Sequence, residues 1–237
     1  MTKKELHKEL LRSMNQIATY MPEVIFQRYF DKFGDDNKYI LAMADDAFKS
    51  IDVFCYAIQH VALSQAASVL RQLLEQVSIV CLLVNHRDLL QPYIEHFKFR
   101  QDNNQLPDKE LIDVASEHYS IANNKSALKY LDYGWLCSEE NIYYSEGALI
   151  KMAGFEDILS WRKTYLDKFV HASYTTTNLL IDGDFPIINP FIKIATKLFD
   201  HLCTSFHKLT DFDFVFDGVD LFHSDFINHY QLLDNIE

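Results

Sequence analysis

The sequence predicts an all-α protein: a multi-helix bundle of about 8–9 helices, closed by a short extended or β-like C-terminal arm. Three observations predict it. Glycine and proline are scarce, six and five in 237 residues, against an average share of roughly 12% for the pair, so elements run long without breaks. Apolar residues recur at three- and four-residue spacing through most of the chain, the period of a helix with one buried face. Alternation with a period of two, the mark of a strand, occurs only near the end, where Phe212, Phe214 and Phe216 alternate with Asp211, Asp213 and Val215.

Taken in order, residues 3–20 carry Leu6, Leu10, Met14 and Ile17 on one stripe and form a first helix. Pro22 sits where a first turn tolerates it and opens a short helix that ends at Gly34. From Asn37 a long helix runs to about Val61, with Ile40, Met43, Ala47, Ile51, Phe54 and Ile58 on its inner face. Ser64 is the expected N-cap of the next helix, which reaches Val84. Its stripe of Ala67, Leu70, Leu74, Val77 and Cys81 is widened by Leu73, Val80 and Leu83, so this helix is predicted to be central. Pro92 starts a helix in the polar, aromatic segment 85–101, residues 102–107 form a loop, and a short helix runs from Asp108 to Ala122. Residues 133–139 read as loop, and a helix of mixed faces then ends at Gly154. Phe155 leads into a helix from Glu156 to Ile181, Pro190 opens another to about Leu209, and a last one spans Asp220 to Leu232. No repeat or low-complexity linker interrupts this order. Residues 1–210 therefore read as one helical domain and 211–237 as an acidic, Phe-rich arm with a final helix.

Hydrophobic residues at 49% and charged ones at 24% are ordinary for a folded domain and exclude wholesale disorder. The formal charge of −12 argues against broad nucleic-acid binding, which needs a cationic face to release counterions. Residues 211–237 hold seven Asp or Glu and no Lys or Arg. The four cysteines lie far apart without C-x-x-C spacing, and three of them sit within apolar helical patterns and read as small buried hydrophobes, which suits a reducing compartment. The charged N-terminus has no signal-peptide core, and the longest apolar run, Val77 to Val84, is short of the 18 or so residues that span a bilayer. A cytoplasmic protein with no membrane association is expected.

Polar residues in the middle of apolar helices mark the candidate site. Arg71 and Glu75 lie four apart on the central helix, neighbours able to form an ion pair. Asp167 and His171 repeat that spacing on the helix from Glu156. Burying such groups costs several kcal/mol unless they are matched, so each pair either fixes packing or does chemistry. As chemistry, Arg71 presents a planar fork to a phosphate or carboxylate with Glu75 holding it, and Asp167 fixes the tautomer of a His171 base. As structure, both are hydrogen-bonded pairs within the bundle. No Walker motif, glycine-rich loop, nucleophile elbow or metal-ligand spacing appears, so no cofactor or metal is expected. Asp45 and Asp46 point about 100° apart on a helix and do not chelate one ion together.

The segments Arg71-Gln-Leu-Leu-Glu75 and Tyr165-Leu-Asp-Lys-Phe-Val-His171-Ala-Ser173 resemble those of a family of uncharacterised all-helical bacterial proteins, which pair an R-x-x-x-E helix with a later Y…H-x-S helix. Tyr93, Phe97, Gln101, Trp135 and the Gly154-Phe155 step are similar as well, and the likeness covers about residues 40–180. It implies a fold and a shared polar cluster without a reaction. A looser likeness is to HEPN-type helical nuclease and toxin domains, which cut RNA without metal using an Arg and a nearby His. Here Arg162 and His171 have eight residues between them and fall on different helix faces, so Arg71 would have to supply the cation.

The function expected is binding, to a protein partner, a further copy of the chain or a small ligand, in a bacterial or phage defence or stress setting. The alternative is a metal-independent ribonuclease or other phosphoryl-transfer enzyme that uses Arg71 and His171, and RNA is a partner only under that alternative.

Overall fold

The computed structural model describes residues 3–119, 131–136, 145–164, 166–167, 188–212 and 226–228, and every regular element among them is helical. Eight α-helices are α1 (Lys3–Val24), α2 (Asp35–Gln59), α3 (Leu63–Asn85), α4 (Leu90–Asp102), α5 (Asp108–His118), α6 (Glu146–Met152), α7 (Glu156–Thr164) and α8 (Ile188–Thr210). Shorter turns of π- or 3₁₀-type cover Ile25–Tyr29, Arg87–Leu89 and Gly134–Leu136. The helix predicted from Glu156 is described to Thr164 and again at Leu166 and Asp167. The rest of it lies outside the described residues, as do most of the arm and the final helix.

The bundle forms around α3, which packs against α2, α8 and α6, while α1 covers α2 and α8. Fourteen of its 23 residues are buried, as its widened apolar face predicts. By length and composition α3 is apolar enough to cross a membrane, yet 67% of that apolar stretch is enclosed by protein, so it serves as a core helix. Aromatic rings fill the space beside it: Phe48 meets Phe199 and Phe206 edge-on at 6.3 and 6.0 Å. Phe212 and Phe226, from the predicted arm, are buried in this same core, whereas Phe214, Phe216 and Phe222 fall outside the described residues. A smaller cluster of Phe99, Ala115 and Leu131 joins α4 to α5.

Three expectations need correction. Pro22 does not open a helix: α1 runs through it, because Met21 and Val24 continue the buried stripe of Leu10, Met14 and Ile17. The missing N–H is followed by a widened π-turn at Ile25–Tyr29. Ser64 is not a cap, since α3 begins at Leu63 after Ala62, which makes no side-chain cap bond. Tyr133 ends a helical stretch and Gly134–Leu136 form a 3₁₀ turn, where a loop was expected over 133–139. The remaining boundary differences of a few residues, such as α2 starting at Asp35 and ending at Gln59, follow from ordinary end geometry.

Cys55, Cys81 and Cys203 are buried free thiols. Burial pushes Cys81 up to about 11 and raises Cys55 and Cys203 as well. Ser205 donates its hydroxyl to Cys81 Sγ at 3.3 Å, tying α8 to α3.

Candidate functional site

Where α3, α6 and the helix continuing from α7 meet, four side chains form a closed ring of alternating charge. Arg162 Nη1 donates to Glu146 Oε1 at 2.6 Å, and its Nε lies 3.5 Å from Asp167 Oδ1. Arg71 closes the ring, with Nη1 3.9 Å from Asp167 Oδ1 and Nη2 3.6 Å from Glu146 Oε2. One edge is a short charge-assisted hydrogen bond. The other three are longer than the roughly 2.7–2.9 Å of such bonds. Arg162 Nε and Asp167 Oδ1 are buried and close to each other, but neither makes a hydrogen bond, so their contact is electrostatic.

Each position follows from local sequence. Arg162 shares a helical stripe with Ile158, Leu159 and Leu166, all buried, so the fold takes its guanidinium inside and leaves it 8% exposed. Glu146 is the first residue of α6, where the helix dipole favours an anion, and Ser145 caps that helix by accepting from the Ala148 N–H. Arg71 sits at the outer edge of α3 with its side chain 36% exposed. The ring therefore has a buried floor at Arg162 and an open rim at Arg71.

Glu75 stands beside the ring and does not pair with Arg71 as its spacing suggested. It accepts a hydrogen bond from the Tyr133 hydroxyl at 2.7 Å, because the 131–136 segment brings that ring against α3 while Arg71 turns outward to Glu146 and Asp167. Burial raises the Glu75 carboxyl above its ordinary range, aided by the nearby charges of Glu146 and Asp132 and opposed by the Tyr133 bond and Arg71. The phenol of Tyr133 is raised by burial and by the Glu75 charge. Tyr93, edge-on to Trp135 at 5.0 Å, is pushed up to about 12 by burial first and by Glu75 second.

Of the four residues singled out from the sequence, Arg71, Glu75 and Asp167 gather here, and His171 lies outside the described residues. Glu146 and Tyr133 were missed as site residues. Arg162 had been set aside for its distance from His171, although its place on an apolar stripe was a legible signal. Among the described residues no three His, Cys, Asp or Glu side chains group as a metal site. Chemically, the ring can hold charge in place, offer an arginine fork at its rim and present carboxylate acceptors beside it.

No family model matches this chain, nor does any curated protein or solved structure.

Proposed function

We propose that this protein is a cytoplasmic binding protein whose Arg71 recognises a small ligand bearing a carboxylate or phosphate. The observation that carries the reading is the inequality of the two arginines. Arg162 is enclosed and takes the short bond to Glu146, whereas Arg71 is half-open and reaches its carboxylates only at 3.6 and 3.9 Å. A planar guanidinium gains most from a bidentate oxyanion, and these longer contacts are weaker competitors than a ligand that closes to hydrogen-bond distance. Glu146 and Asp167 would orient Arg71 before the ligand arrives, which lowers the entropic cost of recognition. The buried free thiols support a reducing compartment.

The test is thermal shift and calorimetric titration with inorganic phosphate and with a di- and a tricarboxylate. Wild type is expected to gain stability with at least one of them, and Arg71→Ala to lose that gain while keeping its fold. Equal gains in both proteins would refute the reading.

A second reading, the metal-independent ribonuclease, draws support from one contact. Asp167, four residues before His171, lies 3.9 Å from Arg71. Cleavage of a single-stranded RNA in excess chelator, abolished by His171→Ala and by Arg71→Ala, would establish it. No cleavage by the wild type would remove it.

A further inference from the structure

Among the described residues, carboxylates outnumber arginines around Arg71. Glu146 and Asp167 each have both Arg71 and Arg162 within 3.9 Å, and Glu75 stands beside them as a third carboxylate. Asp132, from the 131–136 segment, adds a further negative charge that acts on Glu75 and Tyr133 alike. An anion arriving at Arg71 is therefore opposed by like charge unless one carboxylate gives up its own. The partners decide which one can. Glu146 and Asp167 are held ionised between two guanidinium groups, whereas Glu75 is held by a phenol, the Tyr133 hydroxyl donating to it at 2.7 Å. Glu75 is also only partly buried, so a proton from solvent reaches it. The charged groups facing it are Glu146 on α6, Asp132 and Tyr133 on the 131–136 segment and Arg71 on its own helix, and both Glu146 and Asp132 act on it more strongly than Arg71 does. From α4 comes Tyr93, which also feels Asp46 of α2.

We infer that an anion bound by Arg71 is taken up together with a proton, which passes from solvent to the Glu75 carboxylate. The inference rests on the anion-binding reading of Arg71 and adds its regulation by pH. Once protonated, Glu75 keeps its bond, because Tyr133 donates to one carboxyl oxygen while the other carries the proton. The two arginines then face only the two carboxylates of the ring, Glu146 and Asp167, when the anion arrives. Coupling of this kind is reciprocal: the proton favours the anion as much as the anion favours the proton. A bound anion raises the Glu75 carboxyl beyond where burial has already set it, so the bound protein holds more protons than the free one. Affinity therefore rises as the pH falls through the interval between the free and bound values of Glu75, and it is level on either side.

The test is calorimetric titration of the full chain with inorganic phosphate and with a dicarboxylate, at stepped pH between about 5 and 8 and in two buffers of unlike ionisation enthalpy, whose difference counts the protons exchanged. Glu75→Gln is the control, since its amide oxygen still accepts from Tyr133 and its charge is gone. Protons exchanged by the anion itself are common to both proteins and cancel. Wild type is expected to take up more protons than Glu75→Gln and to bind about fivefold or more tightly at the acid end than at the alkaline end, relative to the variant. At the alkaline end Glu75→Gln should be the tighter binder, and the two should converge as the pH falls. Tyr133→Phe removes a bond that favours the ionised carboxylate, so it should move the interval of proton uptake to higher pH. Binding with equal proton counts and equal pH dependence in wild type and Glu75→Gln overturns the coupling and leaves the Arg71 reading standing. An interval that stays in place or moves down in Tyr133→Phe also overturns it. Wild type that binds neither anion at any pH ends the Arg71 reading, and the coupling with it.

Discussion

Arg162 shows how one side chain reorganises a site. Its guanidinium is enclosed between Glu146 and Asp167, and removing one member of a buried ion pair strands the others. Arg162→Ala is therefore expected to cost about 3–5 kcal/mol in chemical denaturation, and Arg162→Met combined with Glu146→Leu distinctly less, because the pair's desolvation is removed with it. His96 makes a second residue-scale case. It is 7% exposed, its Nδ1 meets the Tyr119 hydroxyl, and burial, with the Arg100 charge adding, lowers it to about 4. The folded state thus favours the neutral imidazole, and unfolding favours proton uptake below the ordinary value near 6.5. Stability from this residue is present above about pH 6.5 and is lost as the pH falls toward 4, by about 3 kcal/mol at most. A His96→Gln variant should show a flatter profile over that window in urea titrations at stepped pH. Neither environment was legible from single positions: Arg162 needed its helical stripe read against partners far along the chain, and His96 is buried only because α5 and residues 131–136 close over α4.

Two helices end in the same hydrogen-bond pattern with different residues at its tightest point. After α6, the Phe155 N–H reaches the Ile150 carbonyl and the Gly154 N–H that of Lys151, with Gly154 at φ +85°. After α2, the Ala62 N–H reaches Ala57 and the Val61 N–H reaches Ile58, but Val61 holds φ +55°. A β-branched residue is strained there where glycine is not. Val61→Gly is expected to stabilise the protein by about 0.5–1 kcal/mol, since Val61 is 44% exposed and loses little packing. Gly154→Val should destabilise by about 1–2 kcal/mol through the same term. Differential scanning calorimetry on the two variants reads both signs. This contrast explains which element ends the sequence displayed. Gly154 announced its helix end, whereas a valine in a left-handed turn gives no warning, and neither does a proline carried inside α1 by the apolar stripe around it.

At the scale of the whole molecule, the helical class and the central place of α3 were readable because they rest on summed periodicity, to which many residues contribute. The ring of charges was half readable, since Arg71 and Asp167 interrupt apolar patterns but their partners come from helices whose arrangement no local pattern encodes. Stability is expected to concentrate where the packing does. Leu74 is fully buried on α3, and Leu74→Ala should cost about 2–5 kcal/mol, a large share of a typical total of about 5–15 kcal/mol. Hydrogen exchange should accordingly be slowest along α3, whose amides open only with the whole fold.

The three enclosed thiols have a further consequence. Cys55 lies on α2, Cys81 on α3 and Cys203 on α8, so each of the principal packed helices carries one nucleophile that burial keeps protonated and out of reach. Alkylating reagents can label these sulfurs only during excursions that expose them. The order in which the three acquire mass in a timed iodoacetamide pulse, read by peptide mass spectrometry, becomes a built-in clock of how the bundle comes apart, helix by helix or all at once.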